Sequence, residues 1–249
     1  MLAVLPVRTP TLPPATHTNC YRLGDTVIDP ASPYPDEQER LASWAGGVRR
    51  ILVTHHHEDH VGGVADLRAR SGARVCAHRD ARLPFPVDET LEDLDTIDTG
   101  EGVLVALHTP GHADGHLAFL VDGTGDVVAG DLVAGFGTIV LVPPEGQLAA
   151  YLASLARVRP LATTLHPAHG PACSGALADQ YIAHRHMRTG QFLAALRAGA
   201  SSPDGIARAV YATVPGANLG LAALQVRTHL AWMRAEGLAR EESGRWTSI

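Results

Sequence analysis

A chain of 249 residues with 45% hydrophobic and 18% charged side chains has an ordinary globular composition; it can build one ample core with a small appendage, not a many-domain assembly. The net charge of −6, from 20 basic residues that are all Arg and 26 carboxylates, argues against a dedicated nucleic-acid binder, which is normally basic. Three scattered cysteines (Cys20, Cys76 and Cys173) argue against a disulfide framework, and 14 His is a heavy load that points toward metal chemistry.

The first fourteen residues lack a basic n-region, and prolines interrupt their short apolar stretch, so no export signal is read there. No apolar run is long enough to span a membrane, and a cytoplasmic location is the expectation. Apolar alternation then predicts strands near 18–23 and 26–29, a helix over 36–45, a strand over 48–54, a helix over 63–70 and a strand over 74–77. Residues 88–101 hold seven carboxylates and no base, read as a solvated loop and strand edge or, more sharply, as a wall that repels phosphate backbones. Strands follow near 103–108, 117–121, 126–129 and 138–142, then a helix over 145–158, a strand over 162–166 and a helix over 176–198. In 145–158, Leu148, Leu152 and Leu155 recur at helical spacing and make one apolar face. Strands outnumber helices, which implies two sheets covered by outer helices rather than one doubly wound sheet.

A Gly/Ser/Pro linker at 199–203 divides the chain into a domain of residues 1–200 and a C-terminal domain of residues 201–249. The second part reads as a helix over 203–212, a helix over 219–236 and a hairpin turning at 241–245, the outline of a small winged helix.

The chemistry is densest in Thr54-His55-His56-His57-Glu58-Asp59-His60, directly after a predicted strand. His55 and His57 leave the same face of an extended segment, and Asp59 and His60 follow as the chain turns through Gly62-Gly63. Imidazole and carboxylate at this density suit zinc or a related first-row ion. His56 and Glu58 should point the other way. Three more metal-competent side chains, His112, Asp131 and His169, sit on Gly- or Pro-bounded loops just past predicted strands, where a sheet can hold them at one rim.

The motif His55-x-His57-x-Asp59-His60, with His112, Asp131 and His169 in that order, resembles the metallo-β-lactamase superfamily, whose fold is an αββα sandwich. The likeness covers roughly residues 15–175. The segments Thr109–His112, 130–135 and 151–155 resemble its glyoxalase II-like branch, and the C-terminal segment resembles the lactamase-β-2-like group with a C-terminal winged helix. The resemblance implies two divalent metal ions: His55, His57 and His112 on the first, Asp59, His60 and His169 on the second, and Asp131 bridging. Zinc is the first choice, with iron or manganese as alternatives. It further implies a metallohydrolase that uses a hydroxide shared by the two ions, oriented by Asp59 as the catalytic carboxylate.

A small-molecule thioester, ester or lactone is the expected substrate, and an endoribonuclease or phosphodiesterase acting on single-stranded RNA is the alternative. Charge favours the former. The C-terminal segment carries five Arg against four carboxylates, too few for phosphate-backbone binding, so no DNA partner and no membrane partner are expected and the segment reads as a lid or packing element. A glyoxalase II pocket of the usual kind, built with Lys and Arg for glutathione's carboxylates, is not available to a chain without Lys. Of the remaining polar residues, Asp29 is expected to bond a ligand from outside, His116 to support rather than ligate, and His166 to lie near the rim. His184-Arg185-His186 is expected on a solvated helix face, with substrate contact by His184 or Arg185 as the alternative.

Overall fold

Successive residues of the central strands enter different cores, because side chains alternate across a pleated strand. The computed structural model, which describes residues 1–249, shows this in Ile51 and Leu52 and again in Val127 and Val128: the first of each pair packs toward helices and the second toward the opposing sheet. One sheet of six strands runs in sequence order through β1 (Ala3–Arg8), β2 (His17–Leu23), β3 (Thr26–Ile28), β4 (Arg50–Leu52), β5 (Arg74–His78) and β6 (Glu89–Leu91). The second has β7 (Thr96–Asp98), β8 (Val103–His108), β9 (Leu117–Val121), β10 (Asp126–Gly130), β11 (Thr164–Pro167) and β12 (Cys173–Ser174). Pairing is antiparallel from β1 to β3 and parallel from β3 to β6; in the second sheet only β10–β11 is parallel.

Between the sheets lies a core of Tyr21, Ile28, Leu52, Leu104, Leu117 and Phe119 with their neighbours. Each such side chain contributes about 1.5–3 kcal/mol of burial. On one outer face, α1 (Pro35–Trp44) and α3 (Val64–Ser71) add Leu41, Val64 and Leu67 to the first sheet's core. On the other, α4 (Leu148–Val158) and α5 (Leu177–Arg197) bury Leu148, Tyr151, Leu155, Ala178 and Tyr181 against the second sheet. The architecture is therefore the expected αββα sandwich. A small C-terminal module follows, of α6 (Pro203–Tyr211), α7 (Leu219–Ala235) and the hairpin β13 (Ala239–Glu242)–β14 (Arg245–Ser248). Its core of Ile206, Val226, Leu230, Met233 and Trp246 also takes in Phe192 and Leu196 from the end of α5. No helix is long and apolar enough to cross a membrane.

One expectation is corrected. The strand expected over 138–142 is an irregular loop, because its carbonyls are taken by side chains: Ile139 O by Arg185, Val140 O by His112 and Leu141 O by Thr228 and Gln225. The acidic run 88–101 is the solvated loop and strand edge expected, with β6 and β7 each at the edge of its sheet. It contains the strands β6 and β7, and Asp88, Glu89, Glu92 and Asp93 pair with Arg68, Arg74, Arg79 and Arg157. The prolines read as breaking the N-terminal segment do not prevent β1, where Pro6 sits on an edge strand that tolerates a missing donor.

Candidate metal centre

Strand β3 is followed by Asp29, whose positive φ of 49° turns its carboxylate back toward the end of β4. That carboxylate accepts the Thr54 amide at 2.7 Å and the Thr54 hydroxyl at 2.6 Å. With its proton committed to Asp29, the Thr54 hydroxyl accepts from His55 Nδ1 at 3.0 Å, which leaves His55 Nε2 with a lone pair. The chain stays extended to His57, then α2 (Glu58–Val61) begins and carries Asp59 and His60. Gly62 and Gly63 serve close approach rather than swing. A Cβ on either would meet a backbone oxygen of the 30–31 segment at 2.7 Å, so only glycine lets this helix lie against the Asp29 loop.

The other ligand candidates arrive on loops after β8, β10 and β11. Gly111, at φ 121°, packs so tightly on α4 that a Cβ would lie 2.2 Å from the Tyr151 amide nitrogen, which fixes His112 beside it. His112 Nδ1 donates to Val140 O at 2.9 Å, and His169 Nδ1 donates to His17 O at 3.1 Å. The His169 loop is tied to the first sheet by Asn19, whose side chain donates to Pro167 O and Gly170 O, and by Tyr21, whose hydroxyl donates to Pro167 O. His60 Nδ1 lies 2.8 Å from Asp29 Oδ2.

With their Nδ1 atoms anchored in this way, His55, His60, His112 and His169 aim Nε2 inward. His55 Nε2 lies 2.9 Å from His57 Nδ1, and His112 Nε2 lies 3.0 Å from the same atom. Asp131 spans the two groups: its Oδ2 is 3.3 Å from His112 Nε2, and its Oδ1 is 3.5 Å from His60 Nε2 and 3.4 Å from His169 Nε2. Asp59 Oδ2 is 3.4 Å from His169 Nε2. All seven expected residues are thus brought together, as His55–His57–His112–Asp131 and as Asp59–His60–His169, each group with its ligand atoms within 4.8 Å of one another.

Electrostatics set the character of the pocket. Burial, aided by neighbouring imidazoles, holds His55 well below its ordinary pKa and brings His57 down to about 3. Burial also lowers His112, only partly opposed by Asp131. Burial works against the charge on His60, yet the Asp131 and Asp29 carboxylates raise its pKa. Burial opposes ionisation of Asp59, but bonds from His169 and Thr11 and the charge of His60 hold it well below the carboxylate range. His60 Nε2 and Asp131 Oδ1 are buried without a hydrogen-bond partner. Inward lone pairs facing carboxylate oxygens, with two polar atoms orphaned between them, are the donor set a pair of divalent cations would satisfy. The residues fit the group.

A sequence profile described as the metallo-beta-lactamase superfamily matches residues 13–169. The chain belongs to this superfamily. Within it, a hydroxyacylglutathione hydrolase of Pseudomonas putida (strain GB-1) is 40% identical over 147 residues, 57% of this chain and 56% of that one, so the chain spans little more than half the length of this curated relative. A metallo-beta-lactamase family protein from Thermus thermophilus shares the fold at a TM-score of 0.84 and 22% identity, covering 100% of this chain and 98% of that one. A protein whose structure was determined in a di-iron-bound form has a TM-score of 0.59 and 29% identity, covering 72% of this chain and 98% of that one. Superfamily membership, the fold and the clustered His and Asp residues together give this chain a candidate dinuclear metal centre.

Several supporting residues escaped the sequence reading or sit elsewhere than expected. Thr54 is the hub between Asp29 and His55, and a single threonine in a polar run carries no signal of that role. His116 supports the centre as expected: its Nε2 accepts the Asp131 amide at 3.1 Å, and its Nδ1 is 2.8 Å from Thr109 Oγ1. His56 pairs with Glu145 at 3.3 Å, both half-buried. His166 pairs with Asp126 and lines a cavity of about 550 Å³ with His17, Asn19 and Phe136. Arg185 is not on a solvated face; it is buried. Tyr151 and Tyr181 donate their hydroxyls to Leu132 O and Ala134 O, holding the loop beyond Asp131.

Proposed function

We propose that this protein hydrolyses a small acyl substrate (a thioester, ester or lactone) at a dinuclear centre in which His55, His57 and His112 hold one cation, Asp59, His60 and His169 the other, and Asp131 both. The observation that carries this reading is the Asp131 carboxylate, one oxygen turned to His112 and the other to His60 and His169. Bound divalent cations supply Lewis acidity toward the scissile carbonyl and a water of lowered pKa. The chain's own residues do the rest. Asp59, kept ionised by its neighbours, orients the attacking water and accepts its proton. The anchored Nδ1 atoms keep the His55, His60, His112 and His169 rings each in one tautomer, so none of these four has to reorient during turnover.

Zinc is the favoured ion, and iron or manganese the alternatives, since a His/Asp donor set without thiolate accepts all three. The curated relative named for hydroxyacylglutathione hydrolysis supports an acyl substrate, and the di-iron-bound neighbour supports two ions. The absence of Lys speaks against the usual grip on glutathione, so we infer a different acyl carrier. We further place the protein in the cytoplasm, in keeping with three free cysteines, and divide it near residue 200, with the C-terminal module as a winged-helix-like domain.

The test is metal analysis of the purified protein followed by a panel of thioesters, lactones, esters and single-stranded oligoribonucleotides with zinc-, iron- and manganese-loaded samples. Two equivalents of metal and acyl turnover are expected. A single equivalent after reconstitution overturns the shared-carboxylate reading, and cleavage of RNA with no acyl turnover replaces it with the phosphodiesterase alternative.

A further inference from the structure

The irregular loop that replaces the expected strand over 138–142 is held from both sides of His112. Ile139 O accepts from Arg185 Nη2 on α5, and Leu141 O accepts from Thr228 Oγ1 at 2.8 Å and Gln225 Nε2 at 3.1 Å on α7. Arg185 Nη1 donates to Gln225 Oε1 at 3.0 Å, which joins the two grips. The carbonyl between them, Val140 O, takes the His112 Nδ1 proton. Arg185 is only 2% exposed, makes no ion pair, and has its guanidinium carbon 5.1 Å from the centre of the Tyr151 ring. A buried guanidinium without a counter-charge is costly, and an apolar side chain of similar volume would serve packing better. Stability alone therefore gives no reason for an arginine here. Three successive carbonyls aimed at named partners do.

We propose that Arg185, Thr228 and Gln225 are positioning residues for His112: they set the 139–141 backbone so that Val140 O fixes the tautomer and aim of the ring, and the C-terminal module buttresses the metal centre. This rests on the reading of His112 as a ligand. It replaces the notion of the module as a lid, because the contacts reach the wall of the site through main chain rather than over its mouth. The path crosses from α7 to the ligand in two hydrogen-bonded steps.

The test uses the full chain with Thr228→Val, Thr228→Ser, Arg185→Met and Gln225→Met, titrated with zinc against a chromophoric chelator and with cobalt by visible absorption. Thr228→Val keeps the shape and loses the hydroxyl; Thr228→Ser keeps the hydroxyl. We expect Thr228→Val and Arg185→Met to weaken one of the two ions by about 10–100-fold, as outer partners of metal-bound histidines do, and to perturb one cobalt band. The second ion should keep its affinity, and Thr228→Ser should bind as the unaltered protein does. Folded Thr228→Val and Arg185→Met proteins with unaltered affinities and spectrum overturn the proposal. Should both fail to fold, Gln225→Met, at a half-buried position, decides in the same way. His112→Ala separates the two readings: if it still binds both ions normally, the assignment of His112 as a ligand has failed, and not the buttress alone.

Discussion

Two regions bury an imidazole completely and use it in opposite ways. His229, on α7, has Nδ1 2.8 Å from the Thr189 hydroxyl and its ring edge-on to Phe192 at 5.0 Å. Its setting is a helix junction next to the C-terminal core, with a neutral partner and apolar neighbours. His60, on α2, is bonded on one side to Asp29 and turns an unpartnered nitrogen toward Asp131 and a second set of imidazoles. The first arrangement leaves no buried nitrogen orphaned. The second leaves a buried nitrogen orphaned, which a cation would satisfy. A buried histidine is thus informative less by its burial than by what its second nitrogen faces.

The contrast can be broken at three places. Asp131→Asn removes the charge shared by the two groups while keeping the shape; since outer partners alone are worth about 10–100-fold, the loss of turnover should exceed about 100-fold, with at least one metal equivalent gone by elemental analysis. Full activity with both ions retained would show that Asp131 is not shared. Asp29→Asn acts one layer out, on the groups that orient His60 and, through Thr54, His55. It should lower metal affinity by about 10–100-fold in a competition titration, with a smaller effect on the melting temperature of chelator-treated protein.

His229→Gln gives the smallest effect and removes none of the candidate metal ligands. Burial lowers the His229 pKa from 6.5 to about 3, so between those values the unfolded chain takes up a proton that the folded one does not. That contribution is neutral above pH 6.5 and erodes stability as pH falls through the window toward 3. Replacing the ring should reduce the slope of unfolding free energy against pH by up to about 1.4 kcal/mol per pH unit, measured by urea denaturation between pH 7.5 and 5. An unchanged slope would mean that the ring reaches water.

Legibility followed the length scale of each signal. The His55–His60 cluster could be read because its donors are neighbours in the chain and its side chains follow strand and turn geometry. The loops carrying His112 and Asp131 could be placed at strand ends, since β8 and β10 have strong apolar patterns, whereas the short β11 before His169 offers only Leu165 and the Pro167 that follows His166. Strand β1 was missed because it alternates weakly and carries a proline, and β6 and β7 because three-residue strands within an acidic run leave no periodic trace. Arg185 was misread because the long helix that carries it has polar residues all around and no dominant apolar face. Only the arrival of α7 and the 139–141 carbonyls removes it from solvent.

The amino-acid sequence by itself determined the donor types, their order and the layered architecture, because these depend on spacings of two to four residues and on the polarity of strand ends. Tertiary structure alone decided which nitrogen of each ring faces inward. The carbonyls that anchor His112 and His169 lie 28 and 152 positions away along the chain, and no local pattern carries information over such a separation.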